Sequence, residues 1–207
     1  MIQAIFSQAP VAALIFILTI ITSIYTFSNP EMYGKLMLHP YSVTRGSRVY
    51  SIITSGFIHA DWGHLFFNMF SFYFFAFTLE GIIGSMQFAV LYIVSLILSD
   101  LSTIMRHKDD FRYNSLGASG AISGIIFSYI LFDPSTKFYI MFIPIGIPAV
   151  IFGVLYLLYS AYASKQSSGI NHDAHFYGAL SGLIITILFN PGVLSHFFSE
   201  IQRMVGH

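Results

Sequence analysis

Apolar residues in this chain gather in long runs that have no charged face, and short polar segments divide one run from the next. The pattern predicts six membrane spans, at roughly 10–28, 62–80, 84–104, 117–132, 146–163 and 173–190. Three of these end at an X-Pro step: Asn29-Pro30, Asp133-Pro134 and Asn190-Pro191. The residue before a proline is driven out of the helical region, so these are physical stop signals. Pro144 and Pro148 interrupt the apolar run from Phe138 to Tyr162, which leaves a late helix start, a kink or a short re-entrant piece open for the fifth span. The stretch from Pro30 to Ser51 is too polar and irregular to cross a bilayer, although Met32, Tyr33, Leu36, Met37 and Leu38 suit its interface. No repeat or low-complexity tract divides the chain. Residues 1–207 are therefore expected to form one all-α membrane domain, a six-helix bundle.

Composition supports the bilayer as solvent. Hydrophobic residues make up 56% of the chain and charged ones only 9%, with a mean hydropathy of +0.73; a soluble domain carries roughly a quarter charged residues. The formal net charge is zero and the nine Lys and Arg are scattered, so the basic stripe of a nucleic-acid binder is missing. With no cysteine there is no disulfide, no thiolate metal site and no Cys nucleophile. No basic residue precedes the apolar stretch from Val11 to Phe27, and the first Lys is Lys35, so this stretch reads as a retained span rather than a secretory signal.

With six spans, helices two, four and six run parallel and start from the side that holds the loops near 28–61, 105–116 and 164–172. Polar residues are costly in lipid, and these three spans place theirs at that same end. His64 and Asn68 lie four apart on one face near the start of span two, Ser119 starts span four, and His175 starts span six. Ser119 sits in Gly117-Ala118-Ser119-Gly120, where glycines leave the hydroxyl unobstructed and a helix start offers unsatisfied N–H groups to an oxyanion. Imidazole is the usual base for a serine, and His175 is the best-placed one. Gly120 with Gly124, and Gly178 with Gly182, have the small-xxx-small spacing that lets spans four and six approach closely.

In these residues the chain resembles the rhomboid intramembrane serine proteases. The matches are His59-Ala60-Asp61-Trp62-Gly63-His64 followed by Asn68, then Glu80 and Gly84, Gly117-Ala118-Ser119-Gly120, and His175-Phe176-Tyr177-Gly178 followed by Gly182, in family order over about residues 50–190. The resemblance implies a Ser119 nucleophile and a His175 general base in a dyad without a carboxylate. It also implies an oxyanion site made of His64, Asn68 and the Ser119 backbone, with Gly117 shaping the turn; Gly120, His59 and Ser123 are expected beside it in supporting roles. Implied substrates are single-span proteins cut near small residues; no cofactor or metal is implied. Two positions depart from the family pattern. Its Trp-Arg pair before the first histidine appears as Tyr50-Ser51, with Arg48 as a candidate substitute. Ser123, one turn beyond Ser119, stands where the family often has an aromatic ring packing on the catalytic histidine, and its hydroxyl is a candidate partner for His175.

Each residue also has a simpler reading. Ser119 alone would be a small packing residue, His175 alone an interfacial histidine, and His64 with Asn68 an interhelical hydrogen-bond pair. A metal site from His59, His64 and His175 lacks an accompanying carboxylate or cysteine at ligand spacing. Asp173 points to a different helix face from His175 and reads as a cap of span six. Glu80 reads as an acceptor for loop backbone. His172, His39, His107, His196 and His207 read as solvated, and the polar loop Lys165 to Asn171 as a cap over the site. Two other functions remain: a catalytically silent rhomboid-like binder of membrane clients, and a proton-linked transporter, the latter opposed by the lack of a polar track through the far halves of the spans.

Orientation holds a conflict. Seven of the nine basic residues fall on the loop-rich side, all except Lys137 and Arg203, and the positive-inside rule would make that side cytoplasmic. The family resemblance implies a site opening to the exterior, and a compact six-span core suits a prokaryotic inner or plasma membrane; both are the expectation here. Substrate, cut-site preference and oligomeric state have no signature in the sequence.

Overall fold

A computed structural model describes residues 7–139, 145–164 and 171–206. The long helices are α1 (Pro10–Phe27), α5 (Trp62–Ile83), α6 (Ser85–His107), α7 (Ser119–Phe132), α8 (Ala149–Ala163), α9 (His172–Phe189) and α10 (Val193–Val205). Between α1 and α5, the short helices α2 (Pro30–Leu36), α3 (Pro40–Val43) and α4 (Ser51–Thr54) fold the polar stretch into a compact loop domain. The X-Pro stops act as physics requires, with helices ending at Phe27, Phe132 and Phe189. By length and composition α1, α5 and α6 suffice to cross a membrane, and α9 joins α10 across a bend of 111°. The other two apolar helices, α7 and α8, are shorter. Among the described residues the chain is an all-α membrane bundle apart from one antiparallel strand pair, β1 (Lys137–Tyr139) with β2 (Gly146–Pro148).

That strand pair resolves the fifth span. Pro148 ends β2 and α8 starts at Ala149, later than position 146, because Ala149 and Val150 donate their N–H groups back to Thr136 and Pro134. Pro144 lies outside the described residues. A second difference is α10, which the periodicity reading stopped short of. It runs across the end of the bundle, and His196, which stays exposed, bonds the Phe132 carbonyl at 2.7 Å at the C-terminus of α7. His39 and His172, by contrast, are buried rather than solvated: His39 bridges Ser42 and the Phe111 carbonyl.

The core sits where α5, α6 and α7 meet, around Phe72, Phe88, Tyr92 and Ile125, with Phe72 edge-on to both Phe88 and Tyr92. By contrast α8 buries only Ala149, Gly153, Ser160 and Ala163. Glu80, at the closing turn of α5, is 1% exposed and accepts from the N–H groups of Val11 and Ala12 and from Ser85 Oγ. It therefore caps the start of α1 rather than loop backbone, stapling two antiparallel helices through orphan N–H donors. Replacing Glu80 with Ala strands those donors and should cost about 2 kcal/mol or more, read as a lowered thermal unfolding midpoint in detergent micelles; an unchanged midpoint would remove this role.

Candidate active site

Two helix starts build the site. Gly117 has φ +114, a region closed to most side chains, and its N–H donates to the Ser55 carbonyl at 2.9 Å. This turn delivers Ser119 as the first residue of α7. Among the described residues no side chain caps that helix, so N–H groups of its first turn remain available as donors. At α9 the cap is Asn171, whose Oδ1 accepts from the Ala174 N–H at 3.1 Å while its Nδ2 donates to Thr103 and Ser115. Asp173 is therefore not the cap. It pairs instead with Arg106, whose guanidinium also donates to the Ser164 carbonyl.

These starts bring His175 Nε2 to 2.8 Å from Ser119 Oγ. A hydroxyl that donates to Nε2 leaves the ring proton on Nδ1, the arrangement a general base requires. The approach depends on glycine. A Cβ on Gly178 would run into the Gly120 carbonyl, and one on Gly182 into the Gly124 carbonyl. Gly120 and Gly124 also admit α6, since a Cβ on either would strike Ser99 or Ser95. Below them Thr186 donates to Ser128 at 2.6 Å, pinning the same pair of helices.

His64 stands beside the Gly117 turn, where an added Cβ would lie 2.8 Å from its Cε1 and 2.9 Å from its Nε2. Its Nδ1 accepts from the Ala60 N–H at 3.4 Å, so the neutral ring carries its proton on Nε2, as a donor toward that turn. Asn68 is buried one turn on and spends one amide hydrogen on the His64 carbonyl, leaving the other free to donate. His59 packs edge-on against His64 with ring centroids 4.9 Å apart, and its Nδ1 meets Ser23 Oγ at 3.0 Å. Burial pushes the His59 imidazole down to about 3, so it is neutral support, not a charge.

The two departures have structural answers. Arg48, itself at φ +55, donates to the carbonyls of Gly34, Lys35 and Met37, so it holds the end of α2 within the first loop. Ser123 does not reach His175. It donates to the Ser119 carbonyl at 2.9 Å and meets the Tyr156 hydroxyl at 2.7 Å. Sequence reasoning missed Tyr156; the absent aromatic at position 123 asked for a ring from elsewhere, but three tyrosines on α8 were equally eligible. Of the proposed cap loop, residues 165–170 lie outside the described residues. A largely apolar groove of about 690 Å³ runs between α5, α7 and α8, lined by Phe67, Ser71, Ile126, Tyr129, Phe138 and Phe152 among others.

Such a bundle, holding a serine–histidine pair and flanking donors at one end, defines a class of multi-pass membrane protein. The Rhomboid domain profile matches residues 46–192, well over half of the sequence, and the chain belongs to the rhomboid family. It is 27% identical over 169 residues to "RHOMBOID-like protein 12, mitochondrial" of Arabidopsis thaliana, covering 74% of this chain and 50% of that protein. It is 30% identical over 139 residues to "Putative rhomboid protease YdcA" of Bacillus subtilis, covering 66% and 65% respectively. "Rhomboid protein 1, mitochondrial" of Saccharomyces cerevisiae is 30% identical over 140 residues, with 65% and 40% covered. The chain thus spans between two fifths and two thirds of these relatives' length. Family membership supports a membrane-embedded, protease-like protein, and the relatives come from both bacteria and mitochondria.

Proposed function

We propose that this protein is an intramembrane serine endopeptidase that cuts single-span membrane proteins through an acyl-enzyme. The 2.8 Å contact between Ser119 Oγ and His175 Nε2 carries the proposal. Ser119 Oγ attacks the scissile carbonyl as His175 Nε2 takes its proton, and the carbonyl oxygen becomes an oxyanion. His64 Nε2–H, the spare Asn68 N–H and the first-turn N–H groups of α7 are the donors available to that charge. The tetrahedral adduct collapses, breaking the C–N bond; His175 returns the proton to the leaving amine, and Ser119 keeps the acyl group. Water then adds with His175 again as base, releasing the acid and regenerating the hydroxyl.

The 14 residues of α7 span about 21 Å, less than the roughly 30 Å hydrocarbon layer. With Asp133 at one boundary, Ser119 lies some 9 Å inside the other, where water must reach it through the loop-rich end. We assign that end to the exterior of a prokaryotic cell membrane; cysteine accessibility at position 110 in intact cells reads it directly, and protection there would reverse the assignment. Incubating the reconstituted protein with single-span substrates should yield two fragments whose masses fix the cut near the boundary. Client binding without any cut would favour a silent rhomboid-like binder. Replacing His64 or Asn68 with Ala should lower kcat by roughly 10²–10³, with KM changed little; unchanged kcat would assign both to packing.

A further inference from the structure

The imidazole of His175 donates to no carboxylate among the described residues, so something else must hold its plane. We infer that Tyr156, on the peripheral helix α8, is the positioning residue for His175, held in place by Ser123, so that the dyad is aligned only while α8 is seated. This rests on the proposed dyad and deepens it.

Three contacts carry the inference. The rings of Tyr156 and His175 lie 6.3 Å apart at 23°, an offset stack within the usual range for aromatic pairs. The Tyr156 hydroxyl meets Ser123 Oγ at 2.7 Å, and Ser123 has its only proton committed to the Ser119 carbonyl at 2.9 Å. Tyr156 is therefore the donor in the first bond, and the order runs Tyr156 to Ser123 to the nucleophile's own backbone. One tyrosine thus touches the base by its ring and the nucleophile's turn by its hydroxyl. Phe127 and Phe152 flank the ring, with centroids 5.6 and 5.9 Å away, and limit its rotation. One turn on, Tyr159 meets His172 edge-on at 5.3 Å, and His172 in turn packs edge-on against His175.

The placement on α8 gives this orienter a consequence that a ring at position 123 would lack. A ring on α7 would move with Ser119, whereas α8 is a separate helix that buries four small residues and exposes Ile151, Val154, Leu155, Leu158, Tyr159 and Tyr162. Outward displacement of α8, which borders the groove next to α5 and α7, would withdraw the ring from His175. Substrate that wedges α8 aside would find a base free to turn, and full activity returns when the helix closes again.

The test uses the intact protein in mixed micelles with a cleaved single-span substrate, after wild-type cleavage and its loss in Ser119→Ala have been established, so that failure of the dyad itself is read separately. Tyr156→Ala should lower kcat by roughly 10–100-fold with KM nearly constant, as misplacement of a base does. Tyr156→Phe keeps the stack and loses the Ser123 bond, and should cost only about five-fold. Ser123→Tyr combined with Tyr156→Ala moves the ring to α7 and should recover most of the lost kcat. The role is overturned if Tyr156→Ala retains wild-type kcat, if its defect lies in KM alone, or if the double variant is no better than Tyr156→Ala while folding with a wild-type thermal midpoint. If Tyr156→Ala does not fold, Tyr156→Phe and the double variant decide: the expected result is about five-fold lower kcat in the first and near-wild-type kcat in the second, and an unchanged kcat in Tyr156→Phe or a folded double variant roughly 100-fold below wild type overturns the role.

Discussion

Adding a single methyl group at Gly178 is expected to lower cleavage by about 100-fold or more, because the added Cβ would be driven into the Gly120 carbonyl. Backbone on backbone is the least yielding of contacts: no side chain is present to swing aside, so α7 and α9 must separate or rotate. The dyad contact of 2.8 Å lies at this same level of the helices. An overpacked interface of this kind typically loses 1–3 kcal/mol of stability, so the Gly178→Ala protein should also unfold earlier. Gly34→Ala is the matched control, since an added Cβ there meets nothing within 4 Å. Both activity and unfolding midpoint of that variant should match the wild type. Wild-type cleavage by Gly178→Ala would mean that the close helix approach does not set the dyad.

Ser119→Ala carries the second large effect. It removes the nucleophile while leaving His175, the first-turn N–H groups and the packing in place, and should reduce cleavage by about 10⁴-fold or more, to the residual level left by binding and oxyanion donors alone. Ser119 is half-buried and its hydroxyl bonds only His175 among the described residues, so the variant should fold with a near-wild-type midpoint. A folded Ser119→Ala protein that still cuts substrate would place the chemistry elsewhere.

Much of this arrangement was legible because its causes are local. X-Pro steps stop helices wherever they occur, and parallel spans put Ser119, His175, His64 and Asn68 at one end by counting alone. Glycine spacing announced the α7–α9 approach, although not that Gly120 and Gly124 also receive Ser99 and Ser95 of α6. What was not legible depends on distant partners. Asn171 caps α9 because Asp173 is drawn away by Arg106, a residue 67 positions earlier in the chain. His39 is buried against Phe111 of a distant loop and His172 packs on Tyr159 of α8, and no local composition signals either. The β1–β2 pair depends on backbone pairing of Lys137–Tyr139 with Gly146–Pro148 rather than on an alternating pattern. Tyr156 is the clearest case: an aromatic among many on an apolar helix, given a role only by Ser123 on another.

The charged groups divide the structural labour among themselves. Glu80 and Arg48 hold helix ends, Asp173 and Arg106 tie α9 to α6, and the pair at the centre has no ionic partner among the described residues. That suits a site where the serine proton must move to imidazole and back.

The central claim is that Ser119 is a nucleophile activated by His175, and labelling with a fluorophosphonate probe followed by peptide mapping tests it most directly. The wild-type protein in lipid should carry one adduct, on Ser119, and neither Ser119→Ala nor His175→Ala should acquire it. An adduct on another residue, equal labelling without His175, or no labelling of a folded protein that binds membrane clients would contradict it.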